Sequence, residues 1–139
     1  MTSETSLPIA APEEEQRWLL VSASGRRFAL PVAPVREVIP ARSCTRIPGA
    51  PACVCGMLNL RGRIVTVVDL ATRLELPAGR SAGRRVIVLR HAERVVGLEV
   101  DEVLRIAALS GGETDDGEPF EVIDVAALLG PLFGRPEDR

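Results

Sequence analysis

The sequence predicts an all-β domain with one or two short helices, assembled from a duplicated module whose second copy is abbreviated. Three observations carry this expectation. Short apolar runs are broken by glycine or proline at close spacing, which suits a barrel or sandwich rather than alternating strands and helices. Similar segments return in the same order in both halves of the chain, as happens when one supersecondary unit is built twice. Two aspartates, Asp69 and Asp124, each stand directly before a brief apolar run of helical character.

The elements are justified in turn. Residues 1–16 hold prolines, serines, threonines and the acidic run Glu13–Glu15; such a segment buries little and is expected to be a disordered tail, as is 134–139. Candidate strands are Trp18–Ala23, Arg27–Val32, Ile64–Val68, Arg85–Leu89, Val95–Val100 and Phe120–Ile123, most of them rich in residues that fit a pleated, half-buried surface. In Val35-Arg36-Glu37-Val38-Ile39 the alternation sets Glu37 on the face opposite Arg36 and Val38. Leu70–Leu74 and Val125–Leu129 are the brief helices. Asp69 and Asp124 precede them where an N-cap carboxylate satisfies orphan backbone N–H groups.

The repeat sets the expected domain plan. Arg17–Val21 resembles Arg84–Val88, and Ala29–Val35 resembles Gly97–Val103, at offsets of about 67 and 68 residues. Val68-Asp69-Leu70-Ala71 resembles Ile123-Asp124-Val125-Ala126 at an offset of about 55, so the second half is some 13 residues shorter. It has no counterpart of the Gly56–Gly62 turn and carries the polar Ser110–Glu118 loop instead. One domain is therefore expected over 17–133, with a first module at about 17–76 and a second at about 84–133.

Bulk composition narrows the function. The 139 residues suffice for one domain with its own core. Only four are aromatic, so that core must be built from Val, Leu, Ile and Ala. A net charge of −2 argues against a nucleic-acid binder, which would show a basic excess. No apolar run approaches the roughly 18–20 residues of a bilayer span. No basic segment followed by an apolar stretch opens the chain, so a secretory signal is not expected. Three cysteines, an odd number, suit a reducing compartment and hence the cytoplasm.

The most distinctive stretch runs from Gly56 through Asn59-Leu60-Arg61-Gly62 into Ile64-Val65-Thr66-Val67-Val68-Asp69. Its glycines bracket a tight turn, and an arginine held there presents a rigid donor fork. If the first module closes, Arg61 reaches Glu37; otherwise the two are unrelated surface charges. Such a pair fixes geometry more reliably than it adds stability.

Other chemistry is thin. Cys53 and Cys55 are placed to share one side of a strand, with Cys44 nearby, but a structural zinc site wants four ligands at wider spacing. They read as small buried or half-buried hydrophobes. His91, the single histidine, is expected in a surface hairpin loop between two strands, without a nucleophile beside it. No catalytic, cofactor or metal residues are assigned.

At this point the residues resemble a known family. Phe28-Ala29-Leu30-Pro31-Val32, Val35-Arg36-Glu37-Val38, Ile47-Pro48-Gly49-Ala50-Pro51, Gly56–Gly62, Val67-Val68-Asp69-Leu70, Arg85–Val88 and Val95–Val103 together are similar to the CheW-like domain of bacterial chemosensory arrays. The resemblance covers roughly 17–109 and a closing strand and helix near 119–130. It implies two linked SH3-like β-barrels with an apolar groove between them, and a scaffold without catalytic activity. It implies two partners, a chemoreceptor signalling tip and the regulatory domain of a CheA-type histidine kinase, with other CheW-like proteins as a third option. Glu37 and Arg61 would be the charged pair near the kinase-facing surface, and Asn59 and Gly62 of the same turn are counted as protein-binding residues. Gly56, Val86, Val88, Gly97, Val100 and Val103 would fall near the groove that takes a receptor helix.

Two departures stand out. The segment between Val103 and the closing strand is short, which leaves the second barrel abbreviated and kinase binding in question. Cys55 replaces a usual polar residue before Gly56. The sequence is similar to short adaptors such as those of Frz-type systems. The readings that follow are a coupling adaptor, a receptor-only adaptor, a thiol or metal sensor using Cys44, Cys53 and Cys55, which would show bound metal or a depressed thiol pKa, and self-assembly through the strand edge that the shortened barrel leaves exposed.

Overall fold

The computed structural model describes residues 17–77, 83–108 and 119–133. The tails at 1–16 and 134–139 and the Ser110–Glu118 loop lie outside the described residues. Among the described residues nine strands and two helices follow in order: β1 (Trp18–Ala23), β2 (Arg26–Pro31), β3 (Val35–Pro40), β4 (Val54–Leu60), β5 (Arg63–Asp69), α1 (Leu70–Arg73), β6 (Arg85–His91), β7 (Arg94–Val100), β8 (Glu102–Ala107), β9 (Glu121–Val122) and α2 (Val125–Phe133).

Two sheets divide these strands. One has four strands in the order β9-β2-β1-β8, the other five in the order β3-β6-β7-β5-β4. The sheets do not follow the expected module limits at about 76 and 84. The duplicated hairpins do fall in different sheets, β1–β2 in one and β6–β7 in the other. However, β3 leaves the first hairpin to pair with β6, and β8 returns to pair with β1. Each sheet thus joins the hairpin of one half to later strands of the other.

Turn chemistry explains the hairpins. Ser24 and Gly25 have φ of 55° and 76°, and Arg61 and Gly62 have 52° and 86°, so both central residues of each turn are left-handed. That is the type I′ pattern, whose twist matches its flanking strands. Both aspartates cap helices as expected. The Asp69 carboxylate accepts from the Thr72 N–H at 3.0 Å, and Asp124 from the Ala127 N–H at 3.2 Å.

Burial follows the alternation. Leu19, Val21, Phe28 and Leu30 of the four-stranded sheet pack with Ile87, Leu89, Val96, Leu98 and Leu129 into a core between the sheets and α2. Ile39, Leu58, Leu60, Val65, Val67, Val86 and Val88 form a second core within the five-stranded sheet. Strand β6 feeds both, so Val86-Ile87-Val88-Leu89 reads as an unbroken apolar run. His91, expected on the surface, is buried as the last residue of β6, because only Ala92 and Glu93 form the turn.

The helices are joined by one side chain. Pro131 lies inside α2 and offers no N–H to Ala127 four residues earlier. Arg73 of α1 donates instead, from Nη2 to the Ala127 carbonyl at 3.4 Å and from Nε to the Leu128 carbonyl at 2.8 Å. Arg73→Ala is expected to cost about 1–2 kcal/mol by removing these charge-assisted bonds. Native-state hydrogen exchange should then speed up in α2 before the sheets.

Candidate functional site

The site grows from the β4–β5 turn. The Asn59 side-chain carbonyl accepts from the Gly62 N–H at 2.8 Å and rigidifies the turn from within. Arg61 projects from its tip, with a side chain 69% exposed, and its guanidinium pairs with the Glu37 carboxylate on β3. These strands lie at or beside opposite edges of the sheet, so the pair shows how far the sheet curls. A backbone bridge between Thr45, beyond β3, and Met57 of β4 closes it further.

The predicted residues share a register row. Glu37 pairs with Val88, Val88 with Gly97, Gly97 with Val67 and Val67 with Gly56, crossing all five strands. Four predicted residues thus lie on one line, but not on one surface. Val86, Val88 and Val100 are essentially inaccessible, and Gly56 and Gly97 are also buried. Buried in the sheet, they shape the surface around them rather than present their own side chains to solvent. Val103 is half-buried on β8 of the other sheet. Glu37, Asn59, Arg61 and Gly62 retain exposure.

Sequence reasoning missed the arginine at the middle of the molecule. Arg84 donates from Nε to Glu99 at 2.9 Å, from Nη1 to Asp101 at 2.7 Å, and from Nη2 to Asp69. Asp101 also accepts from the Ser24 N–H at 2.9 Å, reaching the β1–β2 turn of the other sheet. Burial works against the Arg84 charge, but the Glu99 hydrogen bond and the charges of Asp69, Glu99 and Asp101 outweigh it and raise its pKa. A signal existed: Glu99 and Asp101 stand at i and i+2 beside an apolar strand, where paired carboxylates demand a cation.

The three cysteines do not converge on one site, although Cys44 and Cys55 are neighbours against one core. Cys53 packs in the core between the sheets, whereas Cys55 packs against the core of the five-stranded sheet. The register shift between Val54 and Gly56 disrupts the simple alternation expected of a strand. Burial, and then the charge of Glu99, pushes the Cys55 thiol up to about 12; the same two causes raise Cys44. A thiol sensor needs the opposite shift. At pH 8, native Cys55 should carry roughly a thousandfold less thiolate than an ordinary thiol, so iodoacetamide should alkylate it far more slowly than in urea. Because the folded pKa is raised, this thiol's contribution to stability is present below about pH 9 and lost as pH rises toward 12. Among the described residues no three His, Cys, Asp or Glu side chains are placed to hold a metal ion. No helix there is long and apolar enough to cross a membrane.

The profile of the CheW-like domain matches residues 17–122, most of the chain. The chain belongs to the CheW-like domain family. Relatives include the chemotaxis protein CheW of Bacillus subtilis, 29% identical over 101 residues that make up 72% of this chain and 65% of that protein. The chemotaxis protein CheW of Rhizobium meliloti is 38% identical over 86 residues, 61% of this chain and 56% of that one. Protein PilI of Pseudomonas aeruginosa is 38% identical over 98 residues, 68% of this chain and 54% of its own length. The chain thus spans less than two thirds of the length of these relatives. The crystal structure of the scaffolding protein TtCheW from Thermoanaerobacter tengcongensis superposes with a TM-score of 0.76 at 25% identity, covering 86% of this chain and 95% of that one. The two sheets are thereby the two SH3-like subdomains of a CheW-like fold.

Proposed function

We propose that this CheW-like chain is a non-enzymatic, cytoplasmic adaptor of a bacterial chemosensory system, docking a receptor signalling tip and coupling it to a CheA-type histidine kinase. The observation that carries this reading is the exposed Glu37–Arg61 pair on a type I′ turn of a CheW-like fold. A rigid, charged fork at the rim of a curled sheet suits recognition of a partner surface. Family membership supplies the two partner classes, and other CheW-like proteins are a third.

Binding of the purified chain to a receptor tip and to the kinase regulatory domain, each measured separately, tests the proposal. Binding to both is expected; binding to neither rejects it. A second reading, a receptor-only adaptor, is favoured by one feature. The described part of one sheet has four strands against five in the other, and β9 contributes only two residues. Receptor binding without kinase binding would select it.

Arg61→Ala is expected to weaken kinase-domain binding tenfold or more while costing at most about 1 kcal/mol of stability, since exposed ion pairs add little. Titration calorimetry and thermal unfolding of the same preparation separate the two effects. Unchanged affinity would remove Arg61 from the interface.

A further inference from the structure

Strand β8 is the long edge of the four-stranded sheet. It pairs with β1 on one side, and among the described residues no strand pairs with its other side. The opposite edge of that sheet, β9, has only two residues. In the five-stranded sheet the outer strands are drawn together by the Thr45–Met57 bridge and the Glu37–Arg61 pair. A strand edge presents a row of backbone N–H and C=O groups whose natural complement is another extended chain. Neither proline nor lysine blunts this one. Leu104 is 36% exposed and Ile106 53%, so apolar surface accompanies the backbone row.

A bulge sets the pattern that a partner meets on β8. Arg105 pairs with Leu20 and Val103 with the next residue, Val21, so Leu104 is the extra residue. Glu102 pairs with Ser22, which shares a face of β1 with Leu20. Glu102 and Arg105 therefore share a face of the sheet, although three residues separate them along β8. That pattern is complementary to itself. When two copies of β8 run antiparallel about a two-fold axis between Val103 and Leu104, each Glu102 lies opposite the other copy's Arg105. Val103 and Leu104 then meet between the two ion pairs. Opposite charges facing one another across antiparallel strands favour pairing, and like charges oppose it.

We infer that β8 is a self-association edge at which a second copy of this chain adds its own β8 antiparallel, in the register that sets Glu102 against Arg105. The contact is isologous, so it closes at two copies. Six residues at about 3.4 Å each span roughly 20 Å. That is a small contact beside the total of about 1,200 Å² or more that stable complexes bury, so the dimer is weak and forms at high local concentration. Glu37 and Arg61 belong to the other sheet, so each copy keeps that pair and a dimer presents two of them. The inference stands on the edge and the sequence of β8 alone and does not depend on the adaptor reading.

The test is charge exchange in the whole chain. Light scattering of the parent should show a mean mass that rises with concentration. The amide resonances of Glu102, Val103 and Leu104 should shift over the same range, while those of Asn59 and Arg61 stay fixed. Glu102→Arg sets arginine opposite arginine, and Arg105→Glu sets glutamate opposite glutamate. Each should weaken association about tenfold or more, with melting temperatures within a few degrees of the parent. An equimolar mixture of the two single variants rebuilds both opposite-charge pairs, as does the double exchange in one chain, and association should return in each. A constant mass up to about 1 mM, concentration-dependent shifts centred outside β8, or a mixture that associates no better than either variant alone would overturn the inference. If a single variant unfolds, the parent's mass and shift map still decide the question. No receptor or kinase enters these measurements, so their failure leaves the adaptor reading untouched.

Discussion

Arg84→Met is expected to destabilise the chain by about 3 kcal/mol at pH 7, the low end of what removing one partner of a buried ion pair costs. Methionine keeps much of the stem's volume and removes only the charge. Three carboxylates then share a site with no cation: Asp69, Glu99 and Asp101 have side chains 12%, 17% and 17% exposed. The Cys55 thiol, 3.7 Å from Glu99, and the neighbouring Cys44 add no positive charge. The loss reaches both sheets, because Asp101 holds the Ser24 amide and Asp69 caps α1.

The pH dependence distinguishes charge from packing. Without the guanidinium, like charges face one another in the folded state, so acid favours the folded variant relative to the parent. The penalty is therefore greatest near neutral pH and is relieved by acid. The melting-temperature deficit between variant and parent should accordingly be largest at pH 7–8 and shrink toward pH 4.5. A deficit that stays constant across that range would assign Arg84 a packing role. Arg84→Lys should recover part of the loss, since it restores the charge but not three directed N–H donors.

Much of this architecture was legible in the sequence, and the failures have physical causes. Trp18–Ala23 matched its strand, and Asp69 and Asp124 were recognised as caps, because local rules govern β-branched runs and N-caps. Strand β4 was hidden: Gly56 and Asn59 look like loop residues, yet Gly56 sits at a register shift where a strand accommodates them. Strand β8 was hidden because no glycine or proline separates it from β7. A single bend at Asp101 carries the chain from one sheet to the other. The interleaving of the two halves could not be read at all, since it depends on β3 choosing β6 as partner over the adjacent hairpin. For the site, the Glu37–Arg61 pair was legible because its turn announces itself. The full burial of Val86, Val88 and Val100 was not legible, because valines buried on one face of a sheet look the same in sequence as valines buried on both.

Gly56→Ala should produce the other large effect, about 3 kcal/mol or more. A Cβ built at this position would lie 2.3 Å from the Thr45 carbonyl oxygen and 2.9 Å from the Cys44 Cβ. The obstruction at 2.3 Å is backbone, so no rotamer change relieves it. The backbone itself, at φ 145°, is one that L side chains rarely adopt. Overpacking costs about 1–3 kcal/mol and an unfavourable backbone conformation about the same again. Relief must come from moving the segment around Thr45 away from β4, and this breaks the Thr45–Met57 bridge that closes the sheet. Both of its hydrogen bonds are 2.7 Å long, so the amides of Thr45 and Met57 are sensitive reporters. In Gly56→Ala they should exchange with solvent much faster, while the Leu19 and Leu30 amides of the other sheet change little. Gly97→Ala provides the contrast. Its nearest obstacle is the Val86 Cγ1 at 2.7 Å, a side chain inside the second core, and its φ is not left-handed. It should cost about 1–3 kcal/mol and leave the bridge amides protected. If both variants lost the bridge equally, the special position of Gly56 would be refuted, and closure of the sheet would have to depend on the core alone.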